Sequence, residues 1–192
     1  MKKLFLVAAL ALATFTANAQ HSVGSWAIQP RVGVNASCVT NANADWRAGL
    51  VAGVDVEYQA TNLIGISAGA LYSMQGYRYS DLKLREDMDY INIPIMANFY
   101  VFKNFALKVG VQPGFNVADR TYLDGEKIGG NGTDGFNTFD FSIPVGLSYE
   151  YAGFVLDARY NWGLTNVYKH EVKDDNPKNS LFQITLGYKF DL

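Results

Sequence analysis

The sequence predicts an all-β fold, an eight-stranded antiparallel up-and-down transmembrane β-barrel. Three observations carry that prediction. Eight segments alternate apolar and polar residues, the period-two signature of strands with one oily and one wet face. The gaps between them run short and long in turn, as in a barrel with tight turns on one side of a membrane and loops on the other. The oily face is aliphatic in its middle and aromatic at both ends, which suits hydrocarbon flanked by headgroup layers.

The chain opens on Met1-Lys2-Lys3, an apolar run from Leu4 to Phe15, and Ala17-Asn18-Ala19. These read as the charged region, apolar region and cleavage site of an export signal over residues 1–19, leaving 20–192 as the barrel domain. The run is too short to span a bilayer, and no Cys follows the cleavage site to take a lipid anchor. No later segment is long and apolar enough for a membrane helix. A chain without such helices can live in lipid only as a closed barrel, because nothing else satisfies its backbone polar groups there. Loss of Lys2 and Lys3 leaves 14 basic against 18 acidic residues, a net charge of −4 with no basic stripe, so nucleic acid is not an expected partner. Cys38 is the lone cysteine and reads as a tolerated thiol near a loop.

The strands are expected at 25–36, 46–58, 64–78, 89–102, 105–118, 138–151, 153–166 and 180–190. In the second, Trp46, Ala48, Leu50, Ala52, Val54, Val56 and Tyr58 share one face, opposite Arg47, Gly49, Gly53, Asp55 and Glu57. The sixth sets Phe139, Phe141, Ile143, Val145, Leu147, Tyr149 and Tyr151 against Asp140, Ser142, Gly146, Ser148 and Glu150. The seventh sets Phe154, Leu156, Ala158, Tyr160, Trp162 and Leu164 against Asp157, Arg159, Asn161 and Thr165. Residues 59–63, 103–104 and 152 read as tight turns; those around 37–45, 79–88, 119–137 and 167–179 read as longer polar loops. Both termini then fall on the side of the tight turns, the periplasm of an outer-membrane protein.

A soluble barrel would turn the same oily face inward, so the aromatic residues decide the matter. Trp26, Tyr58, Phe99, Phe105, Tyr149, Tyr151, Phe154, Tyr188 and Phe190 gather at one end. Trp46, Tyr72, Phe115, Phe139, Phe141, Trp162 and Phe182 gather at the other. About ten residues tilted near 40° suffice to cross the intervening band. The polar face therefore lines the lumen. It carries Arg31, Arg47, Lys108, Arg159 and Lys189 with Asp55, Glu57, Asp140, Glu150 and Asp157, interspersed with glycines. Five charges of each sign suit mutual pairing in a narrow interior, where an orphan ion is costly. Pro30, Pro94, Pro113 and Pro144 lie inside the proposed strands and cannot donate to a ladder, so bulges or skipped bonds are expected there.

Four runs look familiar: Tyr90-Ile91-Asn92-Ile93-Pro94-Ile95-Met96, Asp140-Phe141-Ser142-Ile143-Pro144-Val145-Gly146, Ala158 to Asn166, and Phe182 to Phe190. Over residues 90–192 they resemble the PorT-like family of outer-membrane barrels from Bacteroidota. The resemblance implies an eight-stranded barrel in which Ile-Pro pairs recur. Some members serve a protein secretion system and most have no assigned role, so the resemblance leaves the role open. The chain departs from the usual outer-membrane ending, since Asp191-Leu192 follow the aromatic Phe190.

No catalytic, cofactor-binding or metal-binding residues are expected. Acyl chemistry needs a nucleophile beside a His base. The two histidines, His21 and His170, belong to opposite ends of the barrel, and a dyad of His170 with Asp174 or Asp175 gives way to a solvated loop histidine. Residues 119–135 carry Asp124, Glu126, Asn131 and Asp134 among glycines, but Ile128 occupies a ligand position and the calcium-loop pattern fails. Asn131-Gly132-Thr133 matches a glycosylation sequon by letters only. Eight strands leave an interior filled by side chains, which disfavours a solute pore. The expected partners are outer-membrane lipid, the barrel assembly machinery and proteins met by the outer loops. The expected function is a non-enzymatic outer-membrane barrel with a plugged polar lumen. A subunit of secretion machinery and a lipid-modifying enzyme stand as alternatives.

Overall fold

The computed structural model describes residues 22–40, 44–130, 136–169 and 177–192. The expected export signal of residues 1–19, His21, the sequon at 131–133, Asp134, His170, Asp174 and Asp175 lie outside the described residues. The strands are β1 Trp26–Val39, β2 Asp45–Gln59, β3 Ile64–Tyr79, β4 Leu84–Asn92, β5 Ile95–Phe102, β6 Phe105–Leu123, β7 Glu126–Gly129, β8 Phe139–Tyr151, β9 Phe154–Asn166, β10 Lys178–Tyr188 and β11 Phe190–Asp191.

Antiparallel neighbours run β1, β2, β3, then β4 with β5, then β6, β8, β9 and β10, and β10 with β11 closes back on β1. The result is a ring of eight staves, with β4–β5 forming one stave and β10–β11 another, and β7 folded back on β6. Among the described residues, closure leaves no free edge within the ring of eight staves, as lipid requires. Consecutive residues show the facing. Val32 is 64% exposed beside Arg31 at 2%, and Leu156 is 51% exposed beside Asp157 at 0%. Charges inside and aliphatic side chains outside is the reverse of a water-soluble core and the arrangement of a transmembrane barrel.

Tight turns join the staves at one end. Ala152 (φ 51°) and Gly153 (φ 82°) both take the left-handed region, which matches the twist of a two-residue hairpin. A Cβ at Gly153 would also lie 2.9 Å from the Tyr188 ring. Aromatic pairs ring this end, with Trp26 on Tyr58 at 4.9 Å, Phe154 on Tyr188 at 5.0 Å and Tyr188 on Phe190 at 4.7 Å. The other end has Phe115 against Phe139 at 5.7 Å and Tyr160 against Trp162 at 4.9 Å.

The prolines interrupt the ladder. The fourth stave breaks at Ile93-Pro94, where Ile93 N–H donates to the Pro113 carbonyl (2.8 Å) and Gly69 N–H to the Pro94 carbonyl (3.0 Å). Pro144 stands across from Gly110, where the β6–β8 pairing lapses between Val109 and Gln112. Pro30 stands across from Tyr188, where the pairing with β1 lapses between β10 and β11.

Two expectations need correction. Residues 79–88 are not a long loop: β3 runs to Tyr79 and β4 begins at Leu84, joined by a four-residue turn. Nor does the strand expected at 105–118 stop there; β6 continues to Leu123 and turns through Asp124-Gly125 into β7. The polar composition suggested loop, but paired backbone outweighs composition once neighbouring strands offer partners. The extensions of β3, β4, β6 and β7 pair with one another and form a blade standing beyond the aromatic ring at the long-loop end.

Candidate functional site: the charged lumen and its cap

Alternation places the charged residues on the inner face; glycines on neighbouring staves give them room. A Cβ at Gly69 would fall 1.9 Å from Asp55 Oδ1, and one at Gly146 would fall 2.7 Å from Arg159 Cβ. Larger residues there would displace the network.

Asp157 is its hub. Its carboxylate accepts from Lys108 Nζ at 2.8 Å and from Arg159 Nε and Nη2 at 2.8 and 2.9 Å. Arg31 Nη1 lies 3.6 Å away and Arg31 Nε lies 3.2 Å from Asp55. All five side chains are buried. Three cations and two anions at mid-lumen thus pair across β1, β2, β6 and β9. Planar guanidinium forks suit such bidentate pairing better than lysine does.

A second cluster lies toward the tight turns. Lys189 Nζ sits 3.1 Å from Glu150 Oε2 and 3.3 Å from Glu57 Oε1, and donates to the Tyr100 hydroxyl at 3.1 Å. The Tyr100 hydroxyl in turn donates to Glu57, and Asn98 Nδ2 donates to the same carboxylate at 2.9 Å. Glu57, Glu150 and Lys189 are buried like the hub.

Arg47 and Asp140 stand apart from both clusters. Arg47 lies at the long-loop end, where the β2–β3 register shifts between Trp46 and Val51. It donates to the Gln75 carbonyl at 3.0 Å and pairs with Asp87 at 2.7 Å, so its partner lies outside the expected set of ten. Gly76, at φ 142°, makes this crossing feasible, since a Cβ there would lie 2.0 Å from the Glu86 carbonyl. Asp140 is held by neutral donors, Thr165 Oγ1 and Asn179 Nδ2, both at 3.0 Å. Mutual ion pairing therefore accounts for eight of the ten charges, through the pairs just described.

An interior cavity between Gln75, Gln112, Asp140, Ser142, Asn161, Asn179 and Leu181 measures about 10 Å³. That is room for one water, and the Asn161 amide beside it makes no hydrogen bond to protein. Above it the lumen turns apolar. Val39, Tyr77, Met88, Tyr90, Phe136 and Val167 form a buried cluster, with Ala44, Tyr79 and Tyr168 packed on it. The Tyr77 and Tyr168 hydroxyls bond to each other, and the Phe136 and Tyr168 rings stack at 5.4 Å. This cap lies at the long-loop end of the lumen, beyond the charges. Sequence reasoning missed it because Phe136, Val167 and Tyr168 come from segments read as loop. The signal was present in Tyr77, Met88 and Tyr90, which continue the inward parity.

Outside the lumen, Cys38 is half-buried near the end of β1, its thiol donating to the Ala44 carbonyl at 3.2 Å. Asp124 lies in the exposed β6–β7 turn and pairs with Lys83 at 2.9 Å rather than facing a ligand loop, and Glu126 begins β7.

A family model, outer membrane protein beta-barrel domain, matches residues 18–169. No curated protein sequence matches the chain. Solved structures share its architecture, and two of them serve as examples. One is Ail, the attachment invasion locus protein of Yersinia pestis, with 17% identity, 88% of this chain and 100% of Ail covered, and a TM-score of 0.57. The other is Neisserial surface protein A, with 13% identity, 86% and 97% covered, and a TM-score of 0.54. At these identities the likeness speaks for the fold.

Proposed function

Since the chain belongs to the outer membrane protein beta-barrel domain family, we propose that it is a non-enzymatic barrel with a plugged lumen, acting through its long-loop end in envelope organisation or external contacts. The outer membrane is its place, and the tight turns with both termini face the periplasm in this reading. The observation that carries it is the filled interior. Paired charges occupy mid-lumen, and an apolar cap lies over them at the end where the blade is built. Such an interior serves stability and closure, which leaves the outer surface as the working part.

The finer placement among PorT-like barrels is supported by the Ile93-Pro94 and Ile143-Pro144 pairs, both of which coincide with lapses in the ladder. That placement leaves the role open, and a secretion-machinery subunit stands as the second reading. The lipid-modifying reading lacks a nucleophile with a His base in its sequence pattern.

Topology and partners can be tested together. An epitope at Gly129-Gly130 should be reached by antibody on intact cells, while one at Lys103-Asn104 should stay hidden until the outer membrane is opened. Labelling of Lys103-Asn104 on intact cells would invert the proposed arrangement. Mild-detergent purification should yield the barrel with lipid. Stoichiometric recovery of other envelope machinery would move the protein to the secretion reading.

A further inference from the structure

The blade has two faces, and only the inner one is explained by the cap. In antiparallel pairs, residues directly opposite share a face. Arg78 pairs with Arg85, Arg85 with Tyr122, and Tyr122 with Lys127, which makes one row across four strands. The Arg85 guanidinium stacks 4.2 Å over the Tyr122 ring. Because Tyr77 and Glu86, the next residues toward the barrel, are buried, this row faces away from the barrel axis.

One step nearer the membrane, Arg120 pairs in register with Asp87 and its side chain reaches Asp89. The exposed Tyr72, a member of the aromatic ring, donates its hydroxyl to the same Asp89 carboxylate at 2.8 Å. A chain of contacts thus runs from the aromatic ring to the cations. A cleft of about 450 Å³ opens there between Tyr72, Val117, Arg120 and Lys127, and one of about 340 Å³ lies farther out between Arg78, Lys83, Arg85 and Tyr122.

Two acids on this face, Asp87 and Asp89, are sunk beneath the cations, while Asp45, opposite Arg78, and Asp124, paired with Lys83, stand exposed. Asp87 and Asp89 side chains are 9% and 2% exposed, against 46% for Arg85 and 32% for Arg120. The carboxylates hold the guanidinium groups from beneath, through Arg85 Nε to Asp87 at 3.0 Å and through Arg120 Nη2 to Asp89, and leave both arginine side chains partly open to solvent. Exposed guanidinium over an aromatic ring, on a blade that rises from the aromatic girdle, fits a phosphate better than any other group a membrane presents. We infer that the outward face of the blade binds phosphate groups of lipids in the leaflet at the long-loop end, with the lower cleft taking the sugar or glycerol that carries them. The inference deepens the proposed function by naming what the outer surface contacts first.

The test is binding of the detergent-purified full chain to diphosphorylated lipid A, measured by native mass spectrometry with dephosphorylated lipid A, inorganic phosphate and heparin as separate arms. Arg85→Gln with Lys127→Gln should weaken diphosphorylated lipid A binding by about tenfold, and added salt should weaken the wild type. Lys103→Gln, at the tight-turn end, should change nothing. Arg120→Gln is a separate variant, since it also strips Asp89 of its partner; its melting temperature distinguishes lost binding from lost fold. Equal binding of dephosphorylated lipid A, or no loss in the double variant, overturns the inference. Competition by inorganic phosphate at equal concentration would reassign the face to free phosphate. Tighter, variant-sensitive binding of heparin would reassign it to sulfated polysaccharide. An inverted epitope result leaves this binding test standing and changes only which leaflet supplies the lipid.

Discussion

Asp157→Ala is expected to lower the unfolding free energy of the barrel by about 3–5 kcal/mol, read by urea titration of the protein refolded in lipid vesicles. The carboxylate it removes is wholly buried and meets Lys108, Arg159 and Arg31. Three cations would then share Asp55, one of them more than 3 Å from it already. Asp157→Asn keeps the shape and removes the charge, so it should lose nearly as much. A variant with wild-type stability would mean that the hub is solvated and that the pairing does not hold the lumen together.

The second large effect belongs to the opposite face. Val54→Arg should cost about 2–4 kcal/mol in a bilayer, because Val54 sits well inside the band between Trp46 and Tyr58. Leu156→Arg, two residues from the ring residue Phe154, should cost less, since the arginine can reach the headgroups. Leu82→Arg is the control. Leu82 is 65% exposed in the β3–β4 turn, more than Val54 at 37%, yet it lies beyond the membrane and should tolerate the change within about 0.5 kcal/mol. Equal tolerance at all three positions would contradict the lipid-facing assignment.

The barrel wall was legible because period-two alternation survives in nearly every stave. Arg31, Asp55, Asp157 and Arg159 fall on one face from sequence spacing alone, and the glycines at 69 and 146 mark where bulky neighbours need space. Pairing partners were less legible, because they depend on register. The shift between Asp89 and Tyr90 against Asn116 and Ala118 turns Arg120 outward toward Asp89, which no local pattern indicates. The shift between Trp46 and Val51 likewise joins Arg47 to Asp87. The blade was hidden for another reason. Arg85, Glu86 and Asp87, following the polar turn Ser80 to Lys83, have the composition of a loop, and only their partners Tyr122, Thr121 and Arg120 on β6 make a strand of them.

The central claim is that charge pairing and the apolar cap plug the lumen. Single-channel recording in planar bilayers addresses it most directly, using the wild type and Arg159→Ala. Arg159→Ala should be less stable in detergent, since it withdraws two hydrogen bonds from the hub. Neither protein should carry a large steady current, because Arg31, Lys108, Gln183 and their buried neighbours still fill the mid-lumen. Large, stable single-channel currents from the wild type would contradict the account and make the protein a pore.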